Sequence, residues 1–187
     1  MNLSLDYKIF SETFAEQYPE KSEISDAISL LGPGIWESPA YLRFVYSMNA
    51  NQTLSDWQHK ECIVVTCDLW GDIVIDLLSE NVIGGFEFLR YAHTSDWSEF
   101  EVNDSIIIQK RGRIIIGDVL RGSVKSGNTI LFTGRSQIYS CVIGGIEFVD
   151  NISRPIDTRV ALTLFHLPKD FFASDLQINP QTALVLP

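Results

Sequence analysis

The sequence predicts an α+β protein: short amino-terminal helices with an antiparallel sheet over residues 1–99, then a small antiparallel β-barrel over residues 100–187. Three observations predict it. Aromatic residues at helical spacing occupy only the opening of the chain. From Trp36 onward, apolar and β-branched runs of strand length alternate with glycine-rich and polar turns. The charge is also divided, with 16 acids against 5 bases in residues 1–100 and 8 against 9 in residues 101–187, which marks two regions with different surfaces.

The elements follow in order. Tyr7, Phe10, Phe14 and Tyr18 recur three or four apart within residues 1–18, a stripe that a helix would bury. A second short helix has Ser22 or Ser25 as its candidate N-cap, aligns Ile24, Ile28 and Leu31, and stops at Gly32-Pro33-Gly34. Tyr41–Tyr46 reads as a strand. Cys62–Cys67 reads as a largely buried strand, turned by Asp68–Gly71 into Asp72–Leu78 and by Ser79-Glu80-Asn81 into Val82–Leu89. Short turns between three strands predict an antiparallel meander, with the preceding helices covering one face. Tyr91–Glu101 lacks periodicity and reads as a connector. Further strands are expected at Ser105–Lys110, Arg113–Leu120, Asn128–Thr133, Gln137–Val149, Arg159–Leu167 and Thr182–Leu186. Val82–Phe88 and Val142–Phe148 share a Val-Ile-Gly-Gly core followed by an apolar–Glu–Phe triplet. A glycine pair inside a strand predicts a bulge or a close backbone approach.

Composition excludes several classes. At 45% hydrophobic and 20% charged residues, the chain has enough apolar surface to bury a core. It has no apolar run of membrane-spanning length, and Met1–Asp6 lacks the layout of a signal peptide. Cys62, Cys67 and Cys141 are odd in number and form no CxxC pair, which predicts reduced thiols and a cytoplasmic protein. All three are expected to be buried strand residues. His59, His93 and His166 lie outside metal-ligand spacing of one another. His59 is three residues from Cys62, but nothing nearby in the sequence completes a ligand set. Asp72 and Asp76 read as solvated ends of one strand. Without a GxSxG elbow or a GxxxxGK[ST] loop, the expectation is a non-enzyme with no metal and no cofactor.

What remains is binding. Acidic turns and tryptophans suggest a surface for a basic protein partner, with Glu37, Asp56, Trp57, Asp68, Trp70, Asp72 and Glu80 as contact residues. The alternative is RNA or ribosome binding through the basic hairpin residues Lys110, Arg111, Arg113, Arg121 and Lys125. Nucleic acid is disfavoured by the near-neutral charge of that half, and no membrane partner is expected.

Two resemblances add to this reading. Ile106–Ile108, Arg111–Gly117, Val119–Gly127, Asn128–Phe132, Cys141–Phe148 and Arg159–Leu164 together resemble the second, β-barrel domain of elongation factor Tu and other translational GTPases. That resemblance implies a six-stranded barrel. It implies no nucleotide site, since the P-loop and the base-reading NKxD are missing, and the contacts that family makes to transfer RNA find no match here. Trp36–Tyr41, Asp56-Trp57-Gln58 and Ile83–Phe88 look like small bacterial toxin-immunity proteins. That resemblance implies a protein that neutralises a toxin by covering it.

Overall fold

The computed structural model describes residues 3–108, 112–148, 159–165 and 181–187. The chain forms two compact units. The sheet unit comprises residues 5–94 with 135–137, and the barrel unit comprises residues 95–134 and 138–187 with the first four residues.

In the sheet unit, the Asp6 carboxylate accepts from the amides of Lys8 and Ile9 at 2.8 and 3.1 Å, capping helix α1 (Tyr7–Gln17). The aromatic stripe is buried as expected at Tyr7, Phe10 and Phe14. Helix α2 (Ser22–Ser29) buries Ile24 and Ile28, and its N-cap is Lys21 with no side-chain cap bond, rather than Ser22. A five-stranded antiparallel sheet follows, in the order β2 (Ile35–Ser38), β3 (Tyr41–Arg43), β6 (Ile83–Phe88), β5 (Gly71–Leu78), β4 (His59–Cys67). The expected meander is its β4-β5-β6 half; the β2–β3 hairpin is an addition, and it shortens the strand expected over 41–46.

Trp36, Leu42, Ile63, Val65, Ile73, Ile75, Phe86 and Phe88 form the buried face of this sheet. Phe86 is central, with ring centroids 4.8 Å from Phe44, 5.1 Å from Phe10 and 6.2 Å from Tyr7. Strand β4 is not largely buried. Its burial alternates strictly, with Ile63 and Val65 inside and Cys62, Val64 and Thr66 outside, because only one face of an antiparallel sheet need meet the core. Its edge is docked by the Gln17 amide, which donates to Thr66 O at 2.9 Å and accepts from Thr66 N at 3.1 Å.

The barrel unit contains six antiparallel strands closed on themselves: β7 (Ser98–Ile108), β8 (Gly112–Arg121), β9 (Thr129–Thr133), β10 (Gln137–Phe148), β11 (Arg159–Phe165) and β12 (Gln181–Leu186), with closure by the β9–β10 pairing. Strand β1 (Leu3–Asp6) lies next to β10 in this sheet. Phe100, Ile115, Ile130, Phe132, Tyr139, Leu162 and Val185 fill the interior, with Phe132 stacked on Tyr139 at 5.1 Å. All six expected strands are present, and β7 begins earlier than expected, inside the supposed connector.

The repeated Gly-Gly grammar produces the same device twice. Gly85 pairs with Asp76 and Ile83 with Leu77, leaving Gly84 as the extra residue of a bulge. Gly145 pairs with Thr163 and Ile143 with Leu164, leaving Gly144 as the extra residue. The alternation then places Glu87 opposite the buried Phe86 and Phe88.

Candidate functional site: the outer face of the five-stranded sheet

The face of the sheet turned away from the helices collects the chemistry. Antiparallel register sets Arg43 beside Gly85, Gly85 beside Asp76 and Asp76 beside Cys62, one row across β3, β6, β5 and β4. The next row runs Tyr41, Glu87, Val74, Val64. Cross-strand neighbours on one face stand about 4.5–5.5 Å apart at Cβ, within side-chain reach.

Parity alone would place His59 on the buried side with Ile63. A register shift between His59 and Glu61 makes Lys60 the extra residue, and one extra residue reverses the faces beyond it. His59 therefore joins Cys62 and Asp76. Its Nδ1 lies 2.8 Å from Asp76 Oδ1, its side chain is half exposed and that of Asp76 is 20% exposed. The other carboxylate oxygen, Oδ2, accepts from the Tyr41 hydroxyl at 3.1 Å. The glycine pair makes this possible. A Cβ on Gly84 would stand 2.8 Å from Asp76 Oδ2, and one on Gly85 would collide with the Tyr41 hydroxyl. Arg43 pairs with Glu37 at 2.7 Å. Glu37, Tyr41, Arg43, Asn51, Asp76 and Gly84 border a shallow pocket of about 280 Å³.

The electrostatics are those of a negative surface. Burial, followed by the Asp76 charge, holds the Tyr41 phenol above its usual range. Burial, followed by Asp76 and Glu87, pushes the Cys62 thiol up.

The expected contact residues are distributed unevenly. Asp72 is exposed on the outer face and accepts from the Thr66 hydroxyl at 2.8 Å. Glu37 is exposed and paired with Arg43, and Asp68 is exposed in the β4–β5 turn. Glu80 is exposed at a φ of 60° in the β5–β6 connection. Asp56 is exposed; Trp57 beside it is half-buried, its amide donating to Asn49 O at 3.0 Å. Trp70 is a correction. It is 1% exposed and packs on Phe88 at 5.3 Å, because Gly71, at a φ of 71°, lets the turn fold the indole inward onto the core.

The cysteines also divide: Cys141 is buried, Cys67 is half-buried and Cys62 is exposed, contrary to expectation. Asp76 is not a solvated strand end but the centre of the cluster. The ligand set judged incomplete around His59 and Cys62 gains Asp76, and the three ligating atoms lie within 4.8 Å of one another. Part of this was open to sequence reasoning. The turn that pairs Cys67 with Gly71 also pairs Cys62 with Asp76 by counting outward along the hairpin. The bulge that brings in His59 had no such signal.

Among the basic residues, Lys110 and Arg111 lie outside the described residues. Arg121 covers the Trp97 ring at 4.7 Å and stands 3.8 Å from Glu99. Arg113 is half-buried on β8, and Lys125 is exposed.

No protein family matches the chain, and no curated protein matches it. Among the described residues, no helix is long and apolar enough to cross a membrane.

Proposed function

We propose that the chain is a non-enzymatic binding protein of the cytoplasm that grips a basic protein through the outer face of its five-stranded sheet. By its resemblance to toxin-immunity proteins, the partner is a toxin that it neutralises by covering. One observation carries the reading: Asp72, Asp76 and Glu87 stand on a single open face, with Val64 exposed beside them, and Glu37 borders that face paired with Arg43. Acids beside an exposed apolar residue steer a cationic surface toward it and exclude mismatched partners. Asp56, Trp57, Asp68 and Glu80 extend this contact set at its margin, and Trp70 leaves it for the core. In this reading the translation-factor-like barrel is a scaffold. The RNA reading is the weaker one, since Arg121 is engaged with Trp97 and Glu99.

The test is affinity capture from the native host with the tagged full chain, followed by binding measurements on the captured protein. A basic protein whose affinity drops at least about tenfold, or about 1.4 kcal/mol, with Asp72→Lys plus Glu87→Lys supports the proposal. Binding that ignores this double reversal but fails with Arg113→Glu and weakens steeply with salt would replace it by the RNA reading.

A further inference from the structure

We infer that His59, Cys62 and Asp76 form a binding site for a divalent transition-metal ion of the zinc class. The inference concerns the same face as the proposed partner contact but does not depend on it.

The donor set comes first. One imidazole, one thiolate and one carboxylate are each good ligands for zinc, and three protein ligands with an open fourth position describe its catalytic and exchangeable sites. Mixed nitrogen, sulfur and oxygen donors select late, borderline ions over magnesium or calcium. In a tetrahedral site the ligand atoms stand about 3.3–3.7 Å apart. Here they lie within 4.8 Å of one another, with His59 Nδ1 and Asp76 Oδ1 at 2.8 Å. A metal would therefore replace the direct histidine–carboxylate contact and set the three ligand atoms at tetrahedral separations. Cys62 and half-exposed His59 can make that adjustment by side-chain rotation without moving the sheet.

Three structural features act in the same direction. The bulge at Lys60 reverses parity so that His59 shares a face with Cys62. The Cys62–Asp76 pairing places thiol and carboxylate directly across the hairpin. The third is the support of the carboxylate: Tyr41 donates to Asp76 Oδ2 at 3.1 Å, leaving Oδ1 directed at the histidine. Partners of this kind orient ligating groups in metal sites. Gly84 and Gly85 provide the room for both side chains. Binding releases the Cys62 proton to solvent, the metal–sulfur bond replacing the S–H bond, and leaves His59 neutral and Asp76 ionised. The fourth position would take water.

The test is titration of the reduced full-length protein with Co²⁺ under a non-thiol reductant, read by absorbance, followed by displacement with Zn²⁺. The expected result is saturation at one equivalent, with a thiolate-to-cobalt charge-transfer band and the intense visible bands of tetrahedral cobalt. Cys62→Ser should abolish the charge-transfer band, and His59→Gln should weaken binding about 100-fold or more. Tyr41→Phe should weaken it about 10-fold, the lower end for loss of an orienting partner. Cys67→Ser should leave the band unchanged. Because Cys62 is exposed, its variant is expected to keep the parent's circular dichroism spectrum, which is recorded alongside. A non-saturable titration overturns the inference, as does a band that survives Cys62→Ser or disappears with Cys67→Ser.

Discussion

The two units treat polar chemistry differently. The barrel closes on itself, and its β9–β10 pairing leaves the sheet with a filled interior. Several polar groups of the barrel unit are tied into its own architecture. The Ser98 hydroxyl donates to Ser123 O at 2.8 Å and accepts from Ser123 N at 2.9 Å, and Arg121 covers Trp97. The sheet unit is one-sided. Helices and aromatic rings fill its inner face, and its outer face carries carboxylates, a histidine and a thiol in facing rows. An open sheet with one packed face has a second face available for binding, whereas a closed barrel too narrow to be a channel uses its interior for packing.

The largest expected effect tests the one-sidedness. Phe86→Ala removes the ring at the centre of four aromatic contacts and should cost about 3–5 kcal/mol. Val64→Ala on the outer face should cost about 0.5 kcal/mol or less. Urea unfolding followed by tryptophan fluorescence measures both, since Trp36 and Trp70 pack on Phe88 in the same core. Equal costs would mean that the outer face is also packed, and the contrast between the units would fail.

A smaller effect compares the same side chain in two settings. Burial pushes the Cys141 thiol of the barrel core from 9.0 up to about 12. The folded state therefore holds this proton through the window from about pH 9 to 12 while the unfolded chain loses it, so stability falls as pH rises across that window. The loss from this group is about 1.4 kcal/mol at pH 10 relative to pH 8. Cys141→Ala should remove that share of the alkaline slope in denaturant titrations at the two pH values. Cys67, pushed up to about 11 by burial and then by Asp68 and Asp72, adds its own share, which Cys67→Ala removes separately. A slope unchanged in Cys141→Ala would show that the barrel interior does not exclude the thiolate.

The smallest effect sharpens the role of the barrel's basic group. Arg121→Gln removes the cation over Trp97 and should lower stability by about 0.5–1 kcal/mol, read as a shift of a few degrees in Tm. An unchanged Tm, together with loss of RNA binding, would assign this arginine to a ligand instead.

Much of the architecture was legible along the chain. The Tyr7–Phe14 stripe, the β4-β5-β6 meander, the six barrel strands and both glycine-pair bulges follow from local rules of periodicity and turn chemistry. The errors have identifiable causes. Cys62–Cys67 is apolar enough to read as largely buried, yet strict alternation puts Cys62, Val64 and Thr66 outside. Trp70 sits in a turn, and turns usually face water, but a glycine with positive φ redirected it into the core.

Local sequence by itself determined which segments are helix and strand, where the chain turns, and that the acids concentrate in the first half. These depend on neighbours a few residues apart, and short-range sterics and hydrophobic period govern them. Only the tertiary structure decided which acids share a face, that Arg43 neutralises Glu37, and that His59, Cys62 and Asp76 meet. Those outcomes depend on register across strands, and a single bulged residue reverses the face on which every later side chain appears.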